Sequence, residues 1–425
     1  MPMQDHVLKA KTYISCEGDH DTWYRLRFEG RVAESMQKPV WMICTTHMFV
    51  EVFYLTQVAL IPVIVWEFQL SLLEVSLVAA VPSLVALLMN IPSGLLADRV
   101  SVNRLLCLSM TIEGLSALLV SQTGNFWSLV VALSFMRIAS PLYHISGLSQ
   151  VTKIAKREHL SMAMGLHNAL GNLGTGAGVI SLAIFLSILS WRWVYVLWAV
   201  PMLIWGVTLL MSSQLKRTTP EKTRATSPNL LKSPSPVLNS VLLIFLIAIG
   251  IREVGSTSVS TFMTTYLVGA KNVSESIADL IFGSGPFVGI VGSLAGGYMG
   301  IRVGAKKALS WLILGSMVSL SILAYLSETY SLTFAFLLYA FFSYAIWSPM
   351  NTIVADITPP ASRGLGYSMY FFAESLVVSI TPVLAAGVIQ FSEIWTIFPF
   401  SIAFLLTGTI VLQLLRHTDK GRRPS

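Results

Sequence analysis

Long apolar runs separated by short polar segments dominate this 425-residue chain. A helix that crosses a bilayer needs roughly 20 consecutive apolar residues, because each residue lengthens the helix by about 1.5 Å. The chain contains twelve such runs, and the pattern therefore predicts an all-α integral membrane protein with twelve transmembrane helices. In chain order the runs are Val40–Trp66, Leu73–Leu96, Leu105–Gln122, Phe126–Leu148, Met162–Ser190, Trp193–Ser212, Val237–Val268, Ile277–Gly300, Ala308–Leu326, Ser331–Val354, Leu365–Phe391 and Ile394–Leu415.

One polar segment, at 214–236, is much longer than the other connections and is rich in Lys, Arg, Thr, Ser and Pro. It separates six predicted helices from the next six. The sequence therefore predicts five parts. They are a cytoplasmic tail at 1–39, a first six-helix half at 40–213, a cytoplasmic central loop at 214–236, a second six-helix half at 237–416 and a cytoplasmic tail at 417–425.

The composition agrees with a membrane protein. The chain is 54% hydrophobic and 12% charged, with a mean hydropathy of +0.70. A soluble domain carries about 25% charged residues, so a soluble enzyme of this length is excluded. The three cysteines are too few and too scattered for a disulfide framework or a zinc site. The polar start of the chain indicates no cleavable signal peptide.

The net charge of +7 reflects where the basic residues lie. If the N-terminus is cytoplasmic, 24 Lys and Arg fall in inside segments and 2 in outside loops. This bias predicts that both termini are cytoplasmic in a multi-pass protein of the cell (inner or plasma) membrane. We interpret the basic loops as topology signals that contact anionic lipid, and we expect no nucleic-acid partner.

A repeated motif links the two predicted halves. The sequence GLLADRVSVNR at 94–104 and the sequence GYMGIRVGAKK at 297–307 align at an offset of 203 residues. Both place a glycine near the end of a predicted helix and basic residues in the turn that follows. Internal repeats of this kind are typical of transporters whose substrate site lies between the two repeats.

These motifs resemble the signature of the major facilitator superfamily. Its loop between helices 2 and 3 is matched by Gly94, Asp98 and Arg99, with Arg104 as the distal positive charge. The resemblance implies two six-helix halves that alternate access to a central site. It also implies a cytoplasmic latch in which Asp98 pairs with basic residues and faces the start of helix 11, near Arg363–Gly364. The predicted latch residues are Gly94, Asp98, Arg99, Arg104, Gly297 and Arg302.

A finer resemblance is to the fosmidomycin-resistance type of drug:proton antiporter. It rests on His47 and Glu51 in helix 1, on the glycines of helix 5, and on the segment WRW at 191–193. Helix 5 lacks the Gly-Pro pair of the family's antiporter motif, so export and import both stay open. We interpret three of these glycines as helix-packing positions, because small residues let helices approach closely. They are Gly171, Gly174 and Gly178.

Ionisable groups inside the predicted helices are candidates for function, since charge is costly in hydrocarbon. Those found are Glu51, Glu113, Arg137, Arg252, Glu253 and Glu374, together with His47, His144 and His167. Four carboxylates face two arginines, so two acids lack a fixed cation and are suited to carrying protons. The predicted proton-coupling residues are Glu51, His47 and Glu253.

Positions along the helices suggest further roles. Glu51 and His47 are four residues apart on one helix face, and we expect Arg137 to pair with Glu51 or with an anionic substrate group. Arg252 and Glu253 point about 100° apart, so we expect no bond between them. We expect Glu113 and Glu374 to bond neighbouring helices, and His144 and His167 to lie toward the cytoplasmic ends.

The resemblance implies that helices 1, 4, 7 and 10 line the central cavity. Helix 10 carries no charge but offers aromatic and polar side chains, Ser348 among them, which suit an amphipathic organic substrate. The predicted substrate-cavity residues are Arg137, Arg252, Tyr339, Tyr344, Trp347 and Asn351.

His47, Met48 and Glu51 in helix 1 are residue types that could bind a metal in a metal carrier. Adjacent His and Met diverge on a helix, and methionine is ordinary filler in apolar helices, so the sequence assigns no metal and no cofactor. An intramembrane enzyme is disfavoured because the chain has no His-Glu-x-x-His and no Gly-x-Ser-x-Gly motif. A transporter-like sensor or scaffold is a further alternative.

The sequence therefore predicts a secondary active transporter that works as a monomer and moves a small organic molecule by proton-coupled export. The alternatives are a proton-coupled importer and an exporter of a metabolite or metal chelate.

Overall fold

Helices of membrane-spanning length follow one another through the computed structural model, which describes residues 37–217 and 237–415. Eleven helices of this part are long and apolar enough to cross a membrane, and a bent pair at the start makes twelve spans when counted as one. The spans are α1 (Lys38–Ala59 and Ile61–Phe68), α2 (Leu72–Ala97), α3 (Val102–Ser121), α4 (Phe126–Ile154), α5 (Leu160–Ile188), α6 (Arg192–Met211), α7 (Ser240–Gly269), α8 (Glu275–Gly283 and Gly285–Val303), α9 (Ala305–Tyr325), α10 (Thr329–Ala345 and Trp347–Ile357), α11 (Arg363–Gln390) and α12 (Ile397–Gln413).

Three spans that the sequence predicts as continuous are interrupted. The two parts of α1 meet at Leu60 with a bend of 56°. In α1 and α8 a proline, Pro62 or Pro286, occupies the first turn after the break, and Pro349 has the same place in α10. Proline has no N–H to donate and fits best in a first turn, so each proline starts a new helical segment.

The helices pack mainly within the first six and within the last six. In the first set α1 lies on α5, α2 on α4, and α3 on α4 and α6. In the second set α7 lies on α12 and α11, and α8 lies on α10. Two helix pairs, α5 with α8 and α2 with α11, make most of the contact between the sets. The charged residues of the spans therefore lie in two helix clusters that share these seams.

Small residues allow the seam between α5 and α8. A Cβ added to Gly165 would lie 2.7 Å from the carbonyl oxygen of Ser293, and one added to Gly297 would lie 2.7 Å from that of Ser161. Backbones this close leave no room for a side chain. Gly297, which the sequence analysis assigned to the latch, thus lies in the seam itself.

One face of the bundle, here called the termini side, holds the first and last described residues. Ser212 at the end of α6 contacts Met42 near the start of α1, and Lys306 bonds the Leu415 carbonyl after α12. The all-helical fold is thus confirmed. That the termini side is cytoplasmic stays a prediction, and the tail and central-loop segments at 1–36, 218–236 and 416–425 lie outside the described residues.

Candidate functional site

A cluster of two imidazoles and one carboxylate lies inside the first helix set. His144 Nε2 on α4 lies 2.9 Å from Glu51 Oε1 and 3.2 Å from His47 Nε2 on α1. His47 Nε2 lies 3.5 Å from the same Glu51 oxygen. The three side chains are 8% to 18% exposed. Each of the three atoms is therefore within reach of the other two, in a largely enclosed space.

The opposite ring nitrogens fix both imidazoles. His47 Nδ1 lies 2.7 Å from the His167 carbonyl oxygen, and His144 Nδ1 lies 2.9 Å from that of Ser140. A carbonyl only accepts, so both Nδ1 atoms carry the hydrogen. The Nε2 atoms are then the ring nitrogens that face Glu51, and each of them can carry a proton or bind a cation there.

A second layer holds this arrangement. The His167 ring stacks on that of His47 with ring centres 3.9 Å apart. The Tyr143 hydroxyl lies 2.9 Å from His167 Nε2 and donates to the Ile43 carbonyl at 2.7 Å.

All three histidines are candidates from the sequence, but the sequence groups only His47 with Glu51. His144 is 97 residues from His47, and only the packing of α4 against α1 brings it there.

A narrow pocket adjoins the cluster between α1, α3 and α4, and its cavity volume is about 20 Å³. This is room for about one water molecule in the present conformation. Among the described residues, two buried polar atoms facing this region have no hydrogen-bond partner, Arg137 Nε and Glu113 Oε2. Glu113 is 3% exposed. The pocket therefore holds one guanidinium and one carboxyl group with unused hydrogen-bonding capacity. Its lining residues are Val50, Glu51, Phe53, Tyr54, Gln57, Glu113, Met136, Arg137 and Ser140.

Of the two roles predicted for Arg137, the pair with Glu51 is not formed among the described residues, and contact with an anionic substrate group stays a prediction. Within the described chain the ionic partners of Glu51 are His47 and His144. Arg137 lies about three turns from the start of α4. It therefore reaches the pocket from a level nearer the side opposite the termini than His144 does. Tyr54, Gln57 and Glu113 were not assigned to the cavity from sequence, although each is a polar group in an apolar span.

The second helix set holds its own charge cluster. Arg252 Nη1 lies 2.6 Å from Glu253 Oε2, and Arg252 Nη2 donates to Ser256 Oγ at 2.6 Å. The prediction that these neighbours do not bond is wrong, because the long arginine side chain folds back across the 100° between them. Glu374 of α11 lies near both, within electrostatic range. The described ion pair of Arg252 is with Glu253, so this region holds two carboxylates near one guanidinium.

The predicted cavity residues of α10 differ in burial and in what they contact. Tyr339 is buried and interacts with Arg252 and Ser256, whereas the Tyr344 ring packs against Gly289 of α8. Trp347 is half-buried.

The polar residues at the start of the second segment of α10 face the seam. Ser348 donates to the Ser293 carbonyl at 2.8 Å. Asn351 is 2% exposed, and its carbonyl accepts from Tyr367. In this conformation both residues are sealed within the packing of α10 against α8 and α11.

Two of the predicted latch residues, Gly94 and Asp98, contact the start of α11 at the termini side. The Gly364 and Leu365 amides at the start of α11 donate to Asp98 Oδ1 and Oδ2, at 2.8 and 2.9 Å. A Cβ on Gly94 would collide with Ser368, so the glycine permits this approach. Nearby, Arg363 Nη1 donates to the Thr152 carbonyl of α4 at 2.9 Å.

The basic residues of the predicted latch do not bond Asp98. Arg99 and Arg104 are exposed, and the two described hydrogen bonds of the Asp98 carboxylate are to backbone amides of α11. Arg302 donates to its own helix at Tyr298, 2.7 Å away. The expectation of a side-chain charge network is therefore replaced by a carboxylate bound to a helix N-terminus, where the helix dipole favours negative charge.

The helix-5 glycines lie where α1 crosses α5. Added Cβ atoms at Gly174 and Gly178 would collide with the carbonyl oxygens of Met48 and Val52, and one at Gly171 would collide with the His47 ring. These glycines thus set the distance at which α5 supports His47.

Comparison with known proteins agrees with the fold. The sequence profile of the Major Facilitator Superfamily matches residues 43–270 and 245–425. The fosmidomycin resistance protein of Escherichia coli (strain K12) is 24% identical, over 67% of this chain and 70% of that protein. The riboflavin transporter RibZ of Clostridioides difficile (strain 630) is 22% identical, over 72% of this chain and 78% of that protein.

Two solved structures share the architecture at 14% identity. A bacterial homologue of the iron transporter ferroportin, in an outward-facing state, superposes with a TM-score of 0.72 over 89% of this chain and 99% of that one. The fucose:proton symporter of E. coli superposes with a TM-score of 0.72 over 90% and 100%. With a profile match over nearly all of the described residues and this fold, the chain belongs to the major facilitator superfamily, and it is a multi-pass membrane transporter of small solutes that works by alternating access.

Proposed function

We propose that the chain couples the movement of a small organic molecule to protons and works as an exporter. The charge balance of α7 and α11 carries this proposal. Glu253 is paired with Arg252, and Glu374 lies nearby as a second carboxylate, in a region where an uncompensated charge costs several kcal/mol. One proton neutralises the excess carboxylate, and a carrier that takes up and releases this proton is driven by the proton gradient.

Among the described residues, the groups around this cluster include no second cation. Tyr370 lies beside Glu374 on α11, and Tyr339 approaches Arg252 from α10. From α12 the neighbour is Gly408, whose added Cβ would lie 2.9 Å from the Arg252 backbone nitrogen. Protonation is therefore the way to neutralise the second carboxylate here. The earlier assignment of Glu51 and His47 as proton-coupling residues stays a prediction.

The two helix sets are proposed to rock about the seams as the two halves of the transporter. The cross-contacts of α2 with α11 run from Asp98–Gly364 at the termini side to Asn90–Ser375 near mid-helix. Those of α5 with α8 run from Ser161–Gly300 to Gly176–Phe287. These contacts begin at the termini side and extend to about mid-helix. If the termini are cytoplasmic, the cytoplasmic side is therefore closed, and the protein is in an outward-facing state from which an exported molecule can leave.

Export is supported by the similarity to a resistance protein, and the pocket beside Arg137 suits an anionic or zwitterionic group. Uptake or exchange of a metabolite is the second candidate, because the similarity to a riboflavin transporter covers slightly more of the chain. Fosmidomycin and riboflavin are therefore the first two test solutes, followed by a panel of anionic and cationic compounds.

The test is flux into and out of proteoliposomes under an imposed pH gradient. The wild type is expected to accumulate one solute in proportion to the gradient. Glu374→Gln is expected to abolish this dependence while solute exchange without a gradient continues. The control is Glu393→Gln, an exposed carboxylate just beyond α11. The proposal fails if no panel solute moves, or if Glu374→Gln and Glu253→Gln both respond to the gradient as the wild type does.

A further inference from the structure

We infer that His47, His144 and Glu51 form a binding site for a divalent transition-metal ion of the Zn²⁺ or Co²⁺ class. One nitrogen from each histidine and one carboxylate oxygen can converge, and all three atoms lie within 4.8 Å of one another. Imidazole and carboxylate are the donors that suit these ions. The proposal does not depend on which solute is carried or on proton coupling.

The spacing of the three atoms fits one face of a tetrahedron. With metal–ligand bonds of about 2.0–2.1 Å, two ligands of a tetrahedral zinc lie about 3.3 Å apart. The three separations here are 2.9, 3.2 and 3.5 Å. Shifts of a few tenths of an ångström in the side chains would place an ion at bonding distance from all three.

The hydrogen bonds of the outer nitrogens select the form that binds metal. Metal-binding histidines commonly donate their second ring N–H to a carbonyl or carboxylate, which leaves the other nitrogen as the ligand. Here the His47 and His144 Nδ1 atoms are held by the carbonyls of His167 and Ser140. Two ring nitrogens 3.2 Å apart and a carboxylate oxygen converge here, and a positive charge between them, a proton or a metal ion, stabilises this arrangement. The site is thus preformed for a positive charge.

The fourth ligand position faces the pocket. Glu51 is common to the cluster and to the lining of the small pocket, which also includes Tyr54 and Gln57. A three-ligand site with an open position is the arrangement in which zinc binds a water molecule or an exchangeable ligand. The pocket, at about 20 Å³, has room for such a water molecule.

The experiment is metal titration of the full-length protein in detergent, free of any affinity tag. His6, His20 and His417 lie outside the described residues and are replaced by Gln in every sample, so that their metal binding does not obscure the result. Co²⁺ binding is followed by its visible absorption and Zn²⁺ binding by competition. This triple-Gln protein, here called the background protein, is expected to bind one equivalent of Co²⁺. The complex should show the intense visible absorption of four-coordinate Co²⁺.

Replacing any one of the three proposed ligands should weaken metal binding. His144→Asn and His47→Asn are each expected to weaken Co²⁺ binding at least 10-fold, and Glu51→Gln to weaken it and change the spectrum. His159→Gln is the matched control, since His159 lies at the start of α5 outside the cluster. Unchanged affinity in both His→Asn variants, or equal loss in the control, overturns the proposal.

A measurement without substitutions covers the case in which a variant does not fold. X-ray absorption of the Zn²⁺-loaded background protein is expected to show two imidazole nitrogens and an oxygen shell. A first shell without imidazole, or the absence of any bound equivalent, rules out the site.

Discussion

Asp98 binds the first amides of α11 with both carboxylate oxygens, and its Oδ1 lies 2.8 Å from the Gly364 nitrogen. This contact joins the end of α2 to the start of α11 across the seam. It holds because an ionised carboxylate offers an acceptor to each of two amides that have no partner within their own helix. Any state in which the termini side opens must break it.

The first prediction is that Asp98→Asn weakens closure of the termini side. The side-chain amide keeps one acceptor but turns a donor toward the second backbone N–H, and the charge at the helix N-terminus is lost. A charge-assisted hydrogen bond is worth about 1.5–3 kcal/mol, so the equilibrium between the two states should shift about 10- to 100-fold. Transport turnover in proteoliposomes is expected to fall, while solute affinity changes little.

Arg99→Gln is the control for this prediction, because Arg99 is exposed and does not bond Asp98. It should leave turnover near that of the wild type. If Arg99→Gln reduces turnover as strongly as Asp98→Asn does, the arginine takes part in the latch and the backbone contact alone is insufficient.

The second prediction concerns the crossing of α1 and α5. Gly174→Ala places a Cβ against the Met48 carbonyl oxygen and 2.9 Å from the Met48 Cα. Overpacking of this kind costs about 1–3 kcal/mol. The melting temperature in detergent should fall. Gly250→Ala on α7 is the matched control, since its Cβ would lie 3.5 Å from Val377 and in ordinary contact. Equal melting temperatures for the two variants would show that the crossing can adjust.

Much of the fold follows from the sequence, for a physical reason. A bilayer imposes a length and a polarity on each helix that can be read from the residues one by one, and all twelve predicted runs correspond to observed spans. The break after Ala59 was not predicted, since Pro62 marks a possible helix start without saying whether the chain bends there.

The arrangement of the candidate site was harder to predict from the sequence than the fold. The spacing of His47 and Glu51 places them on one face, but the rotation of α4 about its axis decides which of its residues meets them, and this depends on packing. In the structure His144 contacts His47 and Glu51, whereas Arg137 does not pair with Glu51. For the same reason, the helical angle between Arg252 and Glu253 said where their Cβ atoms point and not where a flexible guanidinium ends.

The third prediction is that Arg137 selects solutes by charge. Its Nε has no partner among the described residues and lies with Glu113 at a pocket. Arg137→Gln should weaken the apparent affinity for anionic solutes about 10-fold or more, since a hydrogen bond to a charged group contributes about 1.5–3 kcal/mol. Neutral solutes should be affected less. The measurement is competition by charged and neutral analogues in the transport assay, and an equal loss for both classes would contradict charge selection.

Glu113→Gln provides the opposite case at the same pocket. It removes the acidic group beside Arg137 and leaves a neutral amide of the same shape, so anionic solutes should bind as well as before or better. A parallel loss in Glu113→Gln and Arg137→Gln would instead indicate that both residues act on the structure of the pocket.

The fourth prediction concerns the anchor of the short segment Ile61–Phe68, on the side opposite the termini. Glu67 Oε1 lies 2.6 Å from Arg192 Nη1, and its Oε2 accepts from Trp191 Nε1 at 2.6 Å. Arg192 also donates to the Thr123 carbonyl at 2.7 Å and stacks on the Trp191 ring. One arginine thus ties the segment after the bend to the α3–α4 and α5–α6 turns.

Arg192→Ala should release this segment, so that amide hydrogen exchange across residues 61–68 becomes faster. Both charged groups are about a third exposed, so solvent screens the pair and its coupling should be only about 0.2–1 kcal/mol. A double-mutant cycle with Glu67→Gln measures this coupling from thermal unfolding. Arg192→Lys, which keeps the charge but loses the forked contact to Thr123, should fall between the wild type and Arg192→Ala. Exchange at 61–68 that stays at the wild-type rate in Arg192→Ala would show that apolar packing of Ile64 alone holds the segment in place.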